Sequence, residues 1–547
     1  MATMITERLR RGRAVAFVSA ALAGSALAVA GCGGDGDSGS TAGAVASYVP
    51  SSSPMYLEVS TDFDGPQWTQ VEALAKVFPG YPEFERMIDE GLRSGDVDFE
   101  TEVRPLLGAR AAVAALSMPD AAEVQGTLTS PSTDGAAKAA DDQEFVAVIE
   151  IAEGQQDAVK ELLVESGATR QGEHEGVEYY GDASEDTVVA VDEGAAVISD
   201  TPEQVFTALD AHEAGGDRTL AGTDKFTDAL GKLPEDVFGQ AYLDVGAFIQ
   251  QAGAASPQLS QVGLGDYQNA VMAASISAEP EGGRLKGVVV GAPDAGVSEF
   301  TPALVDRVPA DALAYLGFND LSGTIANIFE QIQGSLGEDE RQQVDALRDQ
   351  LPQMLGVSLE DLAALPAGEQ AIVVTSGAKA PGAALAMQVE DGARASGTLD
   401  KLRVGVPQLL KSFSPDTSLP AWQQVPLGGG VQGWRLPLSP EAGVVYGVDG
   451  DIAVVASSVS SAGAVLRPVA PLSGAARFQQ ATNGMPEQVT SLFWLNLEQG
   501  IDALQNAGAF ADAPAGTLAN LRPFKSVAAW TTAGDTPTFE VFLGIAG

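Results

Sequence analysis

The sequence predicts an α+β protein of two tandem duplicated units, each mostly antiparallel sheet in meanders and hairpins, with helices packed on one face. Three observations carry that expectation. First, a Pro-led strand start occurs four times, in two kinds. Pro50 leads Tyr56 and Pro309 leads Tyr315 by six residues, whereas Pro234 leads Tyr242 and Pro486 leads Trp494 by eight. The first kind recurs after 259 residues and the second after 252. Second, landmarks in between keep nearly the same spacing. Gly176–Tyr180 matches Gly430–Trp434 after 254 residues, Val191–Ile198 matches Val448–Val455 after 257, and Phe226 matches Phe478 after 252. A unit of about 250 residues has the size of a domain and is too long for a solenoid repeat. Third, strands come in runs punctuated by helices, without strict alternation of strand and helix, which favours antiparallel sheets.

The elements follow from local pattern. In unit one (48–300), Pro50 to Val59 reads as a strand. Trp68, Val71, Leu74, Val77 and Phe78 give a helical face, which Phe84, Met87, Ile88 and Leu92 continue. Ala111 to Leu116 and Phe145 to Ile151 are apolar strand runs. Residues 118–143 between them lack periodicity and read as a mobile loop. Ala158 to Val164 is helical. Val177–Tyr180, Thr187–Val191 and Ala195–Ser199 form a three-strand meander, with a turn at Asp192-Glu193-Gly194. Pro202 to Leu209 is helical, Tyr242 to Asp244 is a strand followed by a helix at Phe248, and Met272–Ser277 with Leu285–Val290 closes the unit as a hairpin. Unit two (301–547) repeats this plan. It has a helix after Tyr315 (Ile325, Ile328, Phe329, Ile332) and a longer one over Glu338 to Leu355. Its strands are Ala371–Thr375, Ala383–Val389, Gly430–Leu436, Gly443–Val448 and Ile452–Ala456, and its closing hairpin is Ser526–Thr532 with Thr538–Ile545.

Residues 1–31 read as an address. Arg8, Arg10, Arg11 and Arg13 form a positive head, Ala14 to Ala30 an apolar stretch, and Val29-Ala30-Gly31-Cys32 a small-residue cut site. This end resembles the lipobox of bacterial lipoproteins. The resemblance implies cleavage after Gly31, thioether lipidation of Cys32, acylation of the palmitate type, and a cell-membrane, extracytoplasmic location. Arg10-Arg11 is too weak a pattern to decide between the two export routes. Residues 32–47, rich in Gly, Ser and Asp, read as a flexible tether. No apolar run after residue 31 reaches membrane-spanning length.

The chain carries 30 Lys+Arg against 74 Asp+Glu, a net charge of −44. Residues 1–31 hold four Arg and one Glu, so the remainder stands at −47. That field repels nucleic acid and excludes it as a partner. Cys32 is the one cysteine, so no intramolecular disulfide forms and stability rests on core burial.

The lipobox, the strand start Val308-Pro309-Ala-Asp-Ala-Leu-Ala-Tyr315-Leu316 and the duplicated meander together resemble a family of bacterial, largely actinobacterial, secreted proteins known only as a domain of unknown function. The resemblance covers most of residues 48–547. It implies an envelope location and transfers no catalytic residue.

Chemistry is sparse. The two histidines, His174 and His212, sit in polar loop contexts with no second ligand at metal spacing. Ser457 to Ser461 lacks the Gly-x-Ser-x-Gly surroundings of a nucleophile and reads as a turn and helix start. Gly428-Gly429-Gly430 is a hairpin approach with no phosphate-loop Lys. Asp62-Phe63-Asp64-Gly65 resembles part of a calcium loop but lacks the third ligand and the distal Glu, so both acids are expected to cap a helix. Asp244 and Asn496 occupy matching places as N-caps. Tyr56, Tyr242, Tyr315 and Trp494 pack in the core or, more sharply, line a groove between sheet and helices. No cofactor or metal is expected. The reading is an anchored lipoprotein, not an enzyme, that binds or scaffolds at the outer face of the membrane, with an envelope protein, a wall polymer or an apolar ligand as its target. The alternatives are a carrier or sensor of apolar molecules and a carboxylate-based hydrolase, which needs two acids roughly 5–10 Å apart in a cleft.

Overall fold

The computed structural model describes residues 43–92, 98–118, 144–181, 187–255, 264–293, 296–319, 323, 352–377, 381–413, 420–439, 443–511 and 513–545. Residues 1–42, where the expected signal segment, Gly31 and Cys32 fall, residues 119–143, the Ile325–Ile332 stretch and most of the Glu338–Leu355 stretch lie outside them.

Apolar runs rich in Val, Ala and Ile supply the strands, as pleated half-buried surfaces demand. The first half contributes β1 (Met55–Ser60), β2 (Leu107–Ala115), β3 (Phe145–Ile151), β4 (Thr169–His174), β5 (Val177–Gly181), β6 (Val188–Val191), β7 (Ala195–Ser199), β8 (Gly239–Asp244), β9 (Val271–Glu279) and β10 (Gly282–Val290). The second contributes β11 (Ala314–Phe318), β12 (Gln370–Thr375), β13 (Gly382–Gln388), β14 (Gln423–Gly428), β15 (Val431–Pro437), β16 (Gly443–Asp449), β17 (Ile452–Ala456), β18 (Ser491–Leu495), β19 (Phe524–Thr532) and β20 (Thr538–Ile545). Every pairing among them is antiparallel. The first half runs β4-β5-β6-β7-β3-β2-β1-β8-β9-β10. The second runs β14-β15-β16-β17-β13-β12-β11-β18-β19-β20, the same order.

The halves join where β10 pairs β20, from Gly282 opposite Gly544 to Val288 opposite Thr538, which makes one sheet of 20 strands among the described residues. Lys286 faces Glu540 there. Each is reached by the same strand path in its own half, because Tyr242 leads through Ala273 to Val288 as Trp494 leads through Ala528 to Phe542. The halves are therefore related by an approximate two-fold axis through the Lys286–Glu540 pair. Matching turns, such as the β6–β7 and β16–β17 turns, emerge at opposite ends of the strands.

Arg284 closes this seam. Its guanidinium donates to Glu279 and to Glu540, both at 2.5 Å, and lies 4.8 Å from the Phe542 ring centroid. Phe78 packs edge-on against Phe524, and the Gly80 N–H donates to Asn520 Oδ1 at 2.9 Å, so the halves also touch away from the strands.

Helices cover both faces of the sheet, a correction to the one-face expectation. Val205, Ala208 and Leu209 of helix Pro202–Ala214 pack with Phe226, Ala229 and Leu230 of helix Asp224–Leu230 onto Tyr56, Ala114, Val146 and Val197. On the opposite side, Val159 and Leu163 of helix Gln156–Glu165 meet Phe145, Ala147, Val189 and Ile198. The physical reason is visible in β3, β6 and β7, whose apolar residues run consecutively instead of alternating, the mark of a strand buried on both sides. The second half does the same, with helix Val459–Leu466 on one side and helix Gly392–Phe413 on the other.

Folded structure also begins earlier than expected. Gly43–Ala46 is helical with Val45 and Ala46 fully buried, so the last residues of the expected 32–47 tether belong to the body. Leu304, Val305 and Val308 fill the same place in the second core. In both halves the next turn is tied alike: Leu220 N–H donates to Val49 O and Leu472 N–H to Val308 O, each at 2.7 Å.

The two outer strands are poor templates for further pairing. β4 is polar and carries Arg170, Glu173 and an irregular register between Arg170 and Gly172. β14 carries Pro426, with its own register shift between Pro426 and Gly428. Charge, proline and bulges are the usual means of blunting an edge.

Candidate functional site

Each half buries a tyrosine–carboxylate pair at the crossing of its first strand and its post-turn partner. Period-two alternation turns Tyr56 and Tyr242 to the same side, and they lie directly opposite across β1 and β8. Tyr315 and Trp494 lie opposite across β11 and β18. The structure places all four in the cores, at 2%, 5%, 0% and 1% exposure. Phe226 fills the space between Tyr56 and Tyr242, edge-on to both at 5.2 Å, and Phe478 packs edge-on to Trp494 at 5.6 Å. None of the four lines either of the two clefts described below.

The hydroxyls are used internally. Tyr56 Oη donates to Glu58 Oε2 at 2.5 Å, and Arg110, diagonally across on β2 (opposite Ser60), donates to Glu58 Oε1. Glu58 is 1% exposed. Tyr315 Oη donates to Glu369 Oε1, while the backbone N–H groups of Ala303 and Leu304 both donate to Oε2 at 2.6 Å. Burial pushes the Glu369 carboxyl up from its ordinary value, partly offset by those three donors. Burial, reinforced by the adjacent carboxylate, pushes both tyrosine hydroxyls well above theirs. These tyrosines are neutral donors. With their protons committed and the carboxylates shut from water, the pairs fix backbone segments and have no substrate-facing side.

The other sequence candidates are also placed. His174, at the end of β4, stacks on Phe206 and bonds Asp210 at 2.6 Å. His212 lies inside helix Pro202–Ala214 and stacks on Tyr48 at 3.7 Å. Both are packed side chains and neither is a bare loop residue, a correction that follows from their aromatic neighbours. The expected capping by Asp62 and Asp64 does not occur: helix Pro66–Ala75 starts behind Gly65 with no side-chain cap, and Asp64 pairs with Arg104 at 2.7 Å. Pro66 lacks an N–H, so the helix needs one capping acceptor fewer. Asp244 and Asn496 do cap their helices, accepting from Ala247 N–H at 2.8 Å and Gln499 N–H at 3.1 Å. Ser458 caps helix Val459–Leu466, and Gly428, Gly429 and Gly430 all take positive φ in the β14–β15 turn. Among the described residues, no three His, Cys, Asp or Glu side chains converge to hold a metal.

One constellation was missed in the sequence. Arg403 of helix Gly392–Phe413 lies 4.1 Å over the Trp434 ring and hydrogen-bonds Tyr446 Oη at 3.0 Å, which in turn donates to Asp400 at 2.6 Å. Trp422 packs edge-on to Tyr446. The one signal that could have found it is Trp434 itself, in the place of Tyr180. Open clefts occur elsewhere. One of about 660 Å³ is lined by Phe510, Leu518 and Arg522, and one of about 420 Å³ by Asp311, Arg467 and Val469. They present one carboxylate between them, Asp311.

Among solved structures, TP0453 aligns in several crystal forms. Form III matches with a TM-score of 0.24 and 11% identity, covering 45% of this chain and 79% of that one. Form IV gives 0.20 and 14%, over 44% and 77%. Form I gives 0.19 and 10%, over 78% and 97%. These scores are too low to support a shared architecture. No curated protein matches the chain. No helix among the described residues is long and apolar enough to cross a membrane. The family pattern described as “Protein of unknown function (DUF3352)” matches residues 13–540, and the chain belongs to that family.

Proposed function

We propose that this chain is a lipid-anchored extracytoplasmic protein of the cell envelope whose two-half sheet works by binding or scaffolding, without catalysis. The observation that carries this reading is the closed interior: the four aromatics best placed to line a pocket are 0–5% exposed, and the hydroxyls of Tyr56 and Tyr315 are spent on internal carboxylates. What remains to meet a partner is surface. The pattern at Gly31-Cys32 supports the anchor, since two or more acyl chains hold a protein stably at a bilayer. The repeated strand order and its two-fold seam support an internal duplication as the origin of the two halves.

Native mass spectrometry of residues 33–547, purified gently from the host and followed by organic extraction, tests the reading. A bare mass is expected. A stoichiometric lipid or other apolar adduct would replace it with the carrier reading. Cross-linking on intact cells then identifies a protein or wall partner.

A further inference from the structure

The place where the chain joins its folded body is fixed by contacts. Val45 and Ala46 are fully buried in the first-half core. The Tyr48 ring stacks on His212 with an interplanar angle of 10°, and its hydroxyl donates to Asp192 Oδ2 at 3.0 Å. Ser47 Oγ lies 3.1 Å from His212 Nδ1. Asp192 opens the β6–β7 turn, and His212 stands in the last turn of its helix. The β4–β5 turn lies at the same end, because the start of β5 pairs with the end of β6. The N-terminal segment therefore meets the body at one end of the first half.

We infer that this end, around the β6–β7 turn, is the surface that faces the lipid bilayer, and that the second half is presented away from it. The inference rests on the proposed lipidation of Cys32. Ten residues lie between Cys32 and Gly43, and the eleven backbone steps they make span at most about 40 Å even fully extended. The matching β16–β17 turn lies beyond thirteen strand-to-strand steps, from β7 through the seam to β17. At about 4.8 Å per step this is roughly 60 Å along the sheet. It also emerges at the opposite end of the strands, because β10 and β20 are antiparallel. The anchor thus makes two similar halves unequal. The membrane-facing end carries Glu175, Asp192, Glu193, Asp210 and Glu213, so it faces headgroups without inserting among them.

The test uses the full lipidated chain in phosphatidylcholine vesicles that carry an acceptor dye on the headgroups. With Cys32 acylated, an engineered cysteine is the single free thiol. Glu193 and Asp451 are exposed residues of the matching turns and Glu213 is a second exposed site at the first end, so E193C, D451C and E213C each take a donor dye. Energy transfer severalfold higher from E193C and E213C than from D451C is expected. Equal or reversed transfer overturns the inference. Vesicle retention of the unaltered chain, with its loss in C32A, reads the anchor separately. No retention removes both readings, whereas retention with equal transfer removes this one alone.

Discussion

Tyr56 and Tyr315 sit at matching points of the two halves, each 2% exposed or less, and each donates a hydrogen bond to a buried glutamate. The glutamates arrive by different routes. In the first half the acid is Glu58, two residues along the same strand, and Arg110 on β2 neutralises it. In the second half the Glu58 place is Gly317, and the Arg110 place is taken by Glu369, which bonds Tyr315 and two backbone N–H groups. A Cβ added at Gly317 would press on Tyr315 Oη where that ring now lies, so the glycine leaves room for the hydroxyl. What recurs is an aromatic donor with an acceptor. The sign and number of charges around it are free to vary once the acceptor is satisfied.

The comparison makes graded predictions for urea unfolding of the soluble chain. Arg110→Ala strands Glu58 without its cation and is expected to cost about 3–5 kcal/mol, the range for breaking a buried pair. A loss below about 1 kcal/mol would mean that water reaches Glu58 and that the halves differ less than their geometry says. Glu369→Ala leaves the Tyr315 hydroxyl and two backbone donors unpaired beside a new cavity, for about 2–4 kcal/mol. Gly317→Ala forces the Tyr315 ring to shift in a full core, for about 1–3 kcal/mol. Introducing Ala at Gly287, where the Cβ would lie 2.1 Å from the Phe539 ring, strains the seam in the same way.

The smallest effects separate two glutamates by the sign of their pH dependence. Because the Glu369 carboxyl is raised, its native state holds the proton more tightly than the unfolded chain does. Its contribution is full below the ordinary value of 4.5 and is lost as pH rises through the raised one. Glu369→Gln keeps most bonds and removes that fall. Glu498 is the reverse: Arg477 and Lys525 hold it at about 2, so its contribution is present above 4.5 and lost as pH falls towards 2. Its side chain is about a third exposed in a surface ion-pair network, so Glu498→Gln is expected to cost less than about 1 kcal/mol at neutral pH and almost nothing near pH 2. Paired stability curves against pH check both directions.

Much of this architecture is legible in residue order. The runs Phe145–Ile151, Ile452–Ala456 and Thr538–Ile545 are strands with the expected bounds, because apolar β-branched and aromatic stretches have few other options. The caps at Asp244, Asn496 and Ser458 follow from side-chain chemistry alone. Other elements were hidden by composition. Helix Gly392–Phe413 contains Gly397, Gly405 and Pro407, residues that normally end a helix. β4 is polar throughout, and β14 holds a proline. Residues 43–47 are small and resemble linker, yet Val45 and Ala46 pack into the core. The tyrosine–glutamate centres were invisible for a different reason. Arg110 reaches Glu58 across 52 residues and Tyr315 reaches Glu369 across 54, and sequence spacing does not reveal which acids share a strand crossing.

The two halves form one continuous sheet joined through β10 and β20. Native-state hydrogen exchange on the soluble chain tests it most directly, since exchange reports the local opening energy of each strand. The amides of 282–288 and 538–544 are expected to be protected as strongly as those of β1 and β11. Loop-like exchange at the seam, with β1 and β11 still protected, would contradict it and leave two independent domains.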